Sequence, residues 1–445
     1  MFVPAGLALA VALGGLPASA APATAPGAPG APETLAQSVV ASDRVVDPPF
    51  SIDFVAVTWE GEHGPASVRF RTGSAWTAWQ DMGEDGIEES GEFASALVPG
   101  GDADAYQVRI PAGVSGARSV AMNTTDGPAT TAVRAPAALG TAATTTAGTV
   151  VSRAGWGADE SIRTWDPDGF HPVHKLTVHH TAGLNDDPDP AATVRAIYRF
   201  HTIDREWGDI GYQMLIDAQG TIYEGRYTDV DPATPAGFDA DGDVVVGAHV
   251  AGYNSGNVGI SMLGTYDDRR PTALAQRSLE RMLATVATRS GVSATGSSTY
   301  VNPSNGSTWA GPNILGHRDL GSTACPGGIT YALLPTLRDR VAQRMAGTLV
   351  ADSTMVRPRQ IVVTTATGRA RVTWRTAADP SDTQLRYWPR GNPAAAKLTP
   401  LDIRFVEAHN VLLTGLARGT YDYQMIDADK AGNRYVSGTN TLRVP

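Results

Sequence analysis

Cysteine is almost absent from this chain, whose 445 residues include a single one, Cys325. One cysteine excludes an internal disulfide, so its thiol must be buried, free and reactive, or bound to a metal. Basic residues are also scarce: 35 Lys and Arg stand against 45 Asp and Glu, and the formal net charge is −10. This balance leaves no cationic footprint for nucleic acid or for an anionic membrane surface, and we exclude both as partners.

Charged residues make up only 18% of the chain and hydrophobic residues 42%, which is typical of globular rather than disordered proteins. At roughly 150 residues per domain, the length predicts about three domains. Tracts rich in Ala, Pro, Thr and Gly at 21–45 and 135–149 predict linkers, because they cannot bury a core. The predicted domains are therefore 46–134, 150–347 and 348–445.

The start of the chain lacks the Lys or Arg that usually precedes a secretory apolar run, but otherwise has the pattern of a signal peptide. Residues 1–20 are apolar and end in Ala18-Ser19-Ala20, a small-x-small cleavage site. We expect a secreted protein, extracellular or associated with a cell wall, with no stable membrane insertion after processing. The alternative is an uncleaved anchor, although the prolines and glycines here suit a processed segment better than a span of about 20 residues.

Short apolar runs with period-two alternation recur between Gly-rich turns in the first predicted domain, as in Ile52-Asp53-Phe54. They predict a β-rich, sandwich-like domain. Its tryptophans, Trp59, Trp76 and Trp79, are either core residues, as is usual in such sheets, or stacking platforms for sugar rings. Short strands return after residue 348 and predict a second β domain.

The middle region mixes strand and helix patterns. Leu176 and Val178 predict a strand whose end presents His179. Two helices are predicted from apolar residues at helical spacing: Val194, Ile197, Tyr198 and His201 in one, and Leu279, Met282, Leu283 and Val286 in the other. The sequence thus predicts a central α/β domain with a mixed sheet and packed helices, flanked by the two β domains.

His317 and Cys325 lie eight positions apart, so one loop can bring an imidazole and a thiolate to the same ion. His179, at the end of an apolar run, is the candidate third ligand. Two His and one Cys with a fourth position left for water form a catalytic zinc arrangement rather than a closed structural one. Taken singly, a solitary imidazole is usually a satisfied polar group and a solitary Cys a small core residue.

Six segments in this order resemble the motifs of peptidoglycan recognition proteins, whose fold is shared with type 2 zinc N-acetylmuramoyl-L-alanine amidases. The segments are His179-His180-Thr181-Ala182, Asp209-Ile210-Gly211-Tyr212, Gly220-Thr221-Ile222-Tyr223-Glu224-Gly225-Arg226, Gly247-Ala248-His249, Asn257-Val258-Gly259-Ile260 and the loop from Gly316 to Gly327. The resemblance covers about residues 150–347.

The resemblance implies a zinc-dependent amidase that hydrolyses the bond between N-acetylmuramic acid and L-alanine in peptidoglycan. It places a catalytic tyrosine at Tyr212 and a residue that stabilises the tetrahedral intermediate at Thr323, while His249 and Asn254 match positions that contact the muropeptide. The alternatives are a buried sheet tyrosine for Tyr212 and a turn residue for Thr323. A rival for the whole chain is a non-catalytic receptor or wall-anchoring protein, but such members typically lack the cysteine that this chain retains.

Two further segments bear on specificity and architecture. Residues 227–246, rich in Asp and Pro, replace a short connection that in relatives helps to choose the third residue of the stem peptide. Within them, Asp239 to Asp243 is similar to the opening of a calcium loop, but no Glu follows at the required spacing, which favours a solvated acidic loop. The run from Leu416 to Tyr421 resembles a strand of fibronectin type III-like sandwiches, where a tyrosine bonds the preceding turn.

Overall fold

The computed structural model describes residues 32–61, 64, 66–83, 86–87, 92–128, 142–145, 148–167, 169–228, 237–239, 241–349, 358–376, 380–430 and 433–445. The predicted signal peptide and most of the second predicted linker lie outside these residues. Part of the first predicted linker, however, is a strand, Leu35–Val40, which pairs with Ser115–Asn123. Its composition hides this role, because an edge strand gains its hydrogen bonds from a distant partner.

Antiparallel strands build the N-terminal region. They are β1 (Leu35–Val40), β2 (Ile52–Glu60), β3 (Ser67–Thr72), β4 (Ala75–Trp76), β5 (Gln80–Asp81), β6 (Gly86–Ile87), β7 (Glu92–Ala94), β8 (Val98–Ala103), β9 (Ala105–Arg109) and β10 (Ser115–Asn123). One sheet has the order β1-β10-β2-β7-β6 with β8 also on β2, and the other has the order β4-β3-β5 with β9 also on β3. Both sheets contribute to one buried apolar cluster.

The tryptophans of this region divide between its core and its surface. Trp59 is fully buried in the apolar cluster and cannot reach a sugar. Trp76 and Trp79 are half-buried and flank Arg69, whose guanidinium lies 4.6 and 4.8 Å from their ring centroids. Both rings are therefore already used in cation–π contacts.

The central region alternates strands and helices. Its elements are β11 (Ala142–Thr145), β12 (Gly148–Val151), α1 (Arg153–Trp156), β13 (Phe170–His171), β14 (Lys175–His180), α2 (Pro190–Arg199), a π-helical turn (Phe200–Asp204), β15 (Met214–Ile216), β16 (Ile222–Glu224), β17 (Val244–Val245), β18 (Asn257–Met262), α3 (Ala273–Ser290), β19 (Ser297–Val301), β20 (Thr308–Pro312), β21 (Ile314–Gly316), a 3-10 turn (His317–Asp319) and α4 (Gly328–Met345). The main sheet has the order β11-β12-β16-β15-β18-β14-β21 and is mixed, since β14 is parallel to β18 and β21 whereas β15 is antiparallel to β16. This confirms the predicted α/β domain.

Apolar side chains cover both faces of this sheet. On one face, Leu176 and Val178 of β14 pack with α3 and α4. On the other face, α2 packs through residues such as Ile197, and the same cluster includes Phe54 of β2 and Met122 of β10. The N-terminal sheet is thus packed directly on α2. Of the helices among the described residues, none is both long and apolar enough to cross a membrane.

The C-terminal region is again antiparallel. Its elements are β22 (Arg359–Ala366), β23 (Arg369–Arg375), β24 (Ser381–Pro389), a 3-10 turn (Pro393–Ala395), β25 (Lys397–Leu398), β26 (Asp402–Val406), β27 (Ala408–Thr414), β28 (Gly419–Asp429), β29 (Arg434–Val436) and β30 (Asn440–Val444). The Tyr421 hydroxyl donates a hydrogen bond to the Ala417 carbonyl at 3.3 Å, whereas Tyr423 lies in the core. Tyr421 therefore makes the bond to the preceding turn; the fibronectin type III-like fold stays a prediction.

Asp427 is a buried carboxyl between the two C-terminal sheets. It accepts hydrogen bonds from the Thr383 hydroxyl at 2.6 Å and from the Trp374 indole N–H at 3.1 Å. Despite these donors, burial raises the pKa of Asp427 to about 7. The folded protein therefore holds a proton on this group under conditions in which an ordinary carboxyl is ionised.

We expect Asp427 to make this region lose stability as the pH rises from about 4 to about 7. The unfolded carboxyl ionises near pH ~4 and the folded one only near 7, so between these values the folded state binds the extra proton, and each pH unit costs up to about 1.4 kcal/mol. Asp427→Asn should reduce the slope, whereas Glu407→Gln, at a carboxyl whose side chain is 43% exposed, should not. Thermal unfolding at several pH values measures this slope of stability against pH. A wild-type melting temperature that does not change across this pH range would contradict the prediction.

Candidate metal centre

The ends of two neighbouring strands bring two imidazoles together. His179 lies near the carboxyl end of β14, and His317 follows β21 directly. Because these strands are parallel neighbours, with Val178 opposite Gly316, their carboxyl ends meet at the same edge of the sheet. The ring centroids of His179 and His317 are 4.7 Å apart.

The loop after His317 returns Cys325 to the same point. The backbone N–H of Arg318 donates to the Cys325 carbonyl at 3.0 Å, which closes the loop. The Thr323 hydroxyl oxygen accepts the backbone N–H of Cys325 at 3.1 Å. As a result the Cys325 Sγ lies 3.6 Å from the Nδ1 atom of His179.

The donor set fits a zinc ion. The ligand atoms of His179, His317 and Cys325 all lie within 4.8 Å of one another. In a tetrahedral zinc site, typical Zn–S and Zn–N bonds leave sulfur and nitrogen about 3.6 Å apart. This matches the 3.6 Å between Cys325 Sγ and His179 Nδ1, so these two side chains are spaced as ligands of one ion would be, and His317 lies within 4.8 Å of both.

The buried surroundings of His179 and Cys325 favour the protonation states that bind a metal. His179 is 1% exposed, and burial lowers its pKa well below the ordinary value, with further lowering by the neighbouring His317 and His249. His179 is therefore neutral at physiological pH, with a lone pair available. The backbone N–H of His180 points at Cys325 Sγ at 3.4 Å, a contact that favours negative charge on the sulfur.

His249 orients the imidazole of His179, a candidate ligand. Its Nδ1 atom is 3.0 Å from His179 Nε2, and its Nε2 atom is 3.1 Å from the Asn257 carbonyl oxygen. Because only a protonated Nε2 can donate to that carbonyl, Nδ1 of His249 accepts from His179 and leaves His179 Nδ1 unprotonated. The Asn254 side-chain oxygen in turn accepts the backbone N–H of His249 at 2.9 Å.

These contacts give His249 and Asn254 a supporting role that the sequence did not predict; the expected muropeptide contacts stay a prediction. The sequence feature that could have indicated this role is a pair of glycines, one on each side of the His249 ring. A Cβ atom on Gly247 would lie 2.7 Å from that ring, and one on Gly259 would lie 2.6 Å from it. Since real Cβ atoms do not approach so closely, the glycines leave the space that the ring occupies.

We expect His249→Ala to weaken zinc binding by about 10- to 100-fold, because the ring of His179 loses the partner that fixes its tautomer. Competition with a chromophoric chelator measures the zinc affinity. The exposed His174→Ala is the matched control and should bind zinc like the wild type. Equal affinity in the His249 variant would show that this contact does not orient the ligand.

Tyr212 and Thr323 lie beside the ligands. The Tyr212 ring, just before β15, is 5.2 Å from the His179 ring between centroids and is 5% exposed. Thr323 is half-buried in the ligand loop, and since its oxygen accepts the Cys325 N–H, its own proton can be donated elsewhere. His201 braces this region, because its Nδ1 accepts the backbone N–H of Gly211 at 3.1 Å.

The acidic segment near Asp239 makes its own turn. Asp239 Oδ1 accepts the backbone N–H groups of Asp241, Gly242 and Asp243 at 3.0, 2.9 and 2.9 Å. These bonds use one oxygen of the Asp239 carboxylate within the loop, and the solvated acidic loop stays a prediction. Residues 229–236 and 240 lie outside the described part of the chain.

Comparisons with known proteins converge on this region. A family model described as N-acetylmuramoyl-L-alanine amidase matches residues 169–328, which include every candidate site residue. The chain is 30% identical over 182 residues to peptidoglycan-recognition protein SC2 of Drosophila simulans, covering 40% of this chain and 80% of that protein. It is 32% identical over 169 residues to the human N-acetylmuramoyl-L-alanine amidase, covering 37% of this chain and 24% of that protein.

The chain thus spans about a quarter of the length of the human relative. Among solved structures, human PGRP-IBETAC in complex with glycosamyl muramyl pentapeptide is 25% identical. That comparison covers 42% of this chain and 94% of the other, with a TM-score of 0.32.

Proposed function

The chain belongs to the peptidoglycan recognition protein family, and we propose that it is a zinc-dependent N-acetylmuramoyl-L-alanine amidase. Its substrate would be peptidoglycan, cut at the amide between the lactyl group of N-acetylmuramic acid and the L-alanine of the stem peptide. The observation that carries the proposal is the convergence of two imidazoles and a thiolate, with Cys325 Sγ 3.6 Å from His179 Nδ1.

The number of ligands favours catalysis over a structural or receptor role. A structural zinc site is closed by four protein ligands, whereas three leave a position for a reactant. A receptor that only binds the stem peptide has no need of the thiolate. Cys325 is also held by two backbone contacts, from its own N–H to Thr323 and from the His180 N–H to its sulfur.

His179, His317 and Cys325 would hold the zinc. When bound, zinc supplies a Lewis acid that polarises the scissile carbonyl and lowers the pKa of water toward ~7. With a single thiolate among the ligands, the site keeps a net positive charge, which favours a developing oxyanion.

Thr323 and Tyr212 would supply a hydrogen bond and a proton-transfer group, respectively. The Thr323 hydroxyl would donate a hydrogen bond to the oxygen of the tetrahedral intermediate and keep its own proton. In the overall reaction water adds its oxygen to the carbonyl carbon, the carbon–nitrogen bond breaks, and one water proton ends on the leaving amine. Tyr212, beside His179, would relay that proton through its phenol group.

The proposed setting is outside the cell. It is supported by the apolar stretch of residues 1–20 with its small-residue cleavage pattern and by the location of the substrate. We propose a protein that is secreted or associated with the cell wall.

The experiment that tests the function is digestion of a defined disaccharide–peptide muropeptide with the purified full chain, followed by mass spectrometry. We expect two products, a disaccharide with a free lactyl carboxylate and a stem peptide with a new N-terminal alanine. Tight binding of the muropeptide with zinc present and no such products would favour the non-catalytic receptor. Cleavage at a glycosidic bond or within the stem would assign a different hydrolase.

A further inference from the structure

A cavity of about 370 Å³ lies between the N-terminal sheets and the central domain. One wall is formed by Leu97, Pro99 and Asp102, before and within β8, and the other by Leu184 and α2. Tyr212 also lines the cavity, and its ring lies 5.2 Å from that of His179 between centroids, so the cavity is adjacent to the candidate metal centre. Its volume falls in the range of small-molecule sites, about 300 to 1,000 Å³.

The N-terminal wall of the cavity is packed and hydrogen-bonded directly against the central domain. Phe54 shares a buried cluster with Ile197 of α2. The Arg195 guanidinium, itself buried, donates to the Thr124 carbonyl at 3.0 Å. Close to the metal ligands, a Cβ atom on Gly83 would lie 3.6 Å from the Cβ of Ala182. The cavity therefore has two walls that meet through packed side chains, as a preformed site requires.

The lining selects against anionic ligands. Its charged residues are all aspartates, Asp53, Asp102, Asp187 and Asp189. Three of them accept hydrogen bonds from their own chain, from Thr124, Thr193 and Ala192 respectively. Asp102 is exposed, at the rim of the β8 wall. The remainder of the lining is largely apolar.

The stem peptide and the glycan of peptidoglycan differ in how well they fit an acidic and apolar lining. The stem peptide carries free carboxylates, which aspartates repel. The glycan is neutral next to the scissile amide, presents hydroxyl donors to carboxylates, and has acetyl methyl groups that pack on apolar side chains.

We propose that the N-terminal β region and α2 together form a glycan subsite, in which Asp102 accepts hydrogen bonds from sugar hydroxyls and Leu97, Pro99 and Leu184 contact the N-acetyl groups. This inference rests on the proposed amidase function, and it makes the N-terminal region part of the substrate cleft. The enzyme would then favour long glycan strands over a single muramoyl residue.

The test compares two substrates with the same stem peptide, N-acetylmuramoyl-peptide and its tetrasaccharide counterpart. Asp102→Gly should lower kcat/KM for the tetrasaccharide about tenfold, mainly through KM, because it loses a hydrogen bond to a charged group. It should leave the single-sugar substrate unchanged. Glycine suits this position because Asp102 has a φ of 58°. Asp268→Gly, an exposed aspartate outside the cavity lining, is the charge-matched control and should not alter the preference.

A second variant fills the cavity. Leu184 is 48% exposed, so Leu184→Trp should fold, and it should cause the same selective loss. Glycan strands stripped of their stem peptides provide a binding readout, because they should inhibit the wild type competitively and both variants much less. Equal losses on both substrates, or losses that follow the stem sequence, would overturn the glycan subsite. If the wild type cuts neither substrate, the amidase proposal fails instead, while binding of the stripped glycan still tests the subsite.

Discussion

Cys325→Ser is expected to lose zinc and at least about 10³-fold of the amide hydrolysis rate. Serine has nearly the same shape but supplies no anionic sulfur at neutral pH, so it removes the soft ligand and leaves two imidazoles. Zinc per chain, measured by plasma mass spectrometry, and release of stem peptide should fall together.

The control is in the same loop. Ser322 is exposed, and Ser322→Ala should keep both zinc and activity. The melting temperature of metal-free Cys325→Ser should equal that of the metal-free wild type, since Cys325 is a small buried residue and its replacement is isosteric. A serine variant that retains activity would show that the thiolate is not a ligand and that Cys325 is an ordinary core residue.

Tyr212→Phe should lower kcat by about 10² to 10³ without changing the zinc content, because general acid–base catalysis typically contributes this much. Phenylalanine keeps the ring that lies 5.2 Å from His179, so packing at the site is preserved. Single-turnover cleavage of the muropeptide separates the chemical step from product release.

Another buried tyrosine provides the comparison. The Tyr198 hydroxyl donates to the Asp159 carbonyl at 3.0 Å, and Tyr198 does not line the cavity beside Tyr212. Tyr198→Phe should cost stability and leave kcat close to the wild-type value. If Tyr212→Phe behaves in the same way, Tyr212 is a structural sheet tyrosine and the proton relay belongs to another group.

The candidate metal ligands could be picked out from the sequence because each lies where a local pattern ends. His179 closes an apolar strand, and His317 and Cys325 bound one glycine-rich loop; the structure places the three together. The orienting contact from His249 was not predictable, since it joins residues 70 positions apart and depends on which nitrogen of each ring faces the other. Periodicity predicts which face a side chain takes but not the tautomer of its ring.

The packing of the N-terminal sheet on α2 also could not be predicted from the sequence. Phe54 begins an almost continuous apolar run, Phe54-Val55-Ala56-Val57, which is typical of a strand buried on both faces, and Ile197 lies on an ordinary apolar helix face. Nothing in either pattern specifies that one covers the other. The separate N-terminal β domain stays a prediction, and the contribution of its side chains to the cavity beside Tyr212 had no signal in the sequence.

A zinc amidase requires that the metal held by His179, His317 and Cys325 be present for hydrolysis. The most direct measurement counts new N-terminal alanines released from purified peptidoglycan by the wild-type chain, first stripped of metal and then given one equivalent of zinc. We expect no release without metal and full release near one zinc per chain. Zinc-loaded protein that binds peptidoglycan but releases no alanine-terminated peptide would contradict the amidase proposal and leave the receptor as the better description.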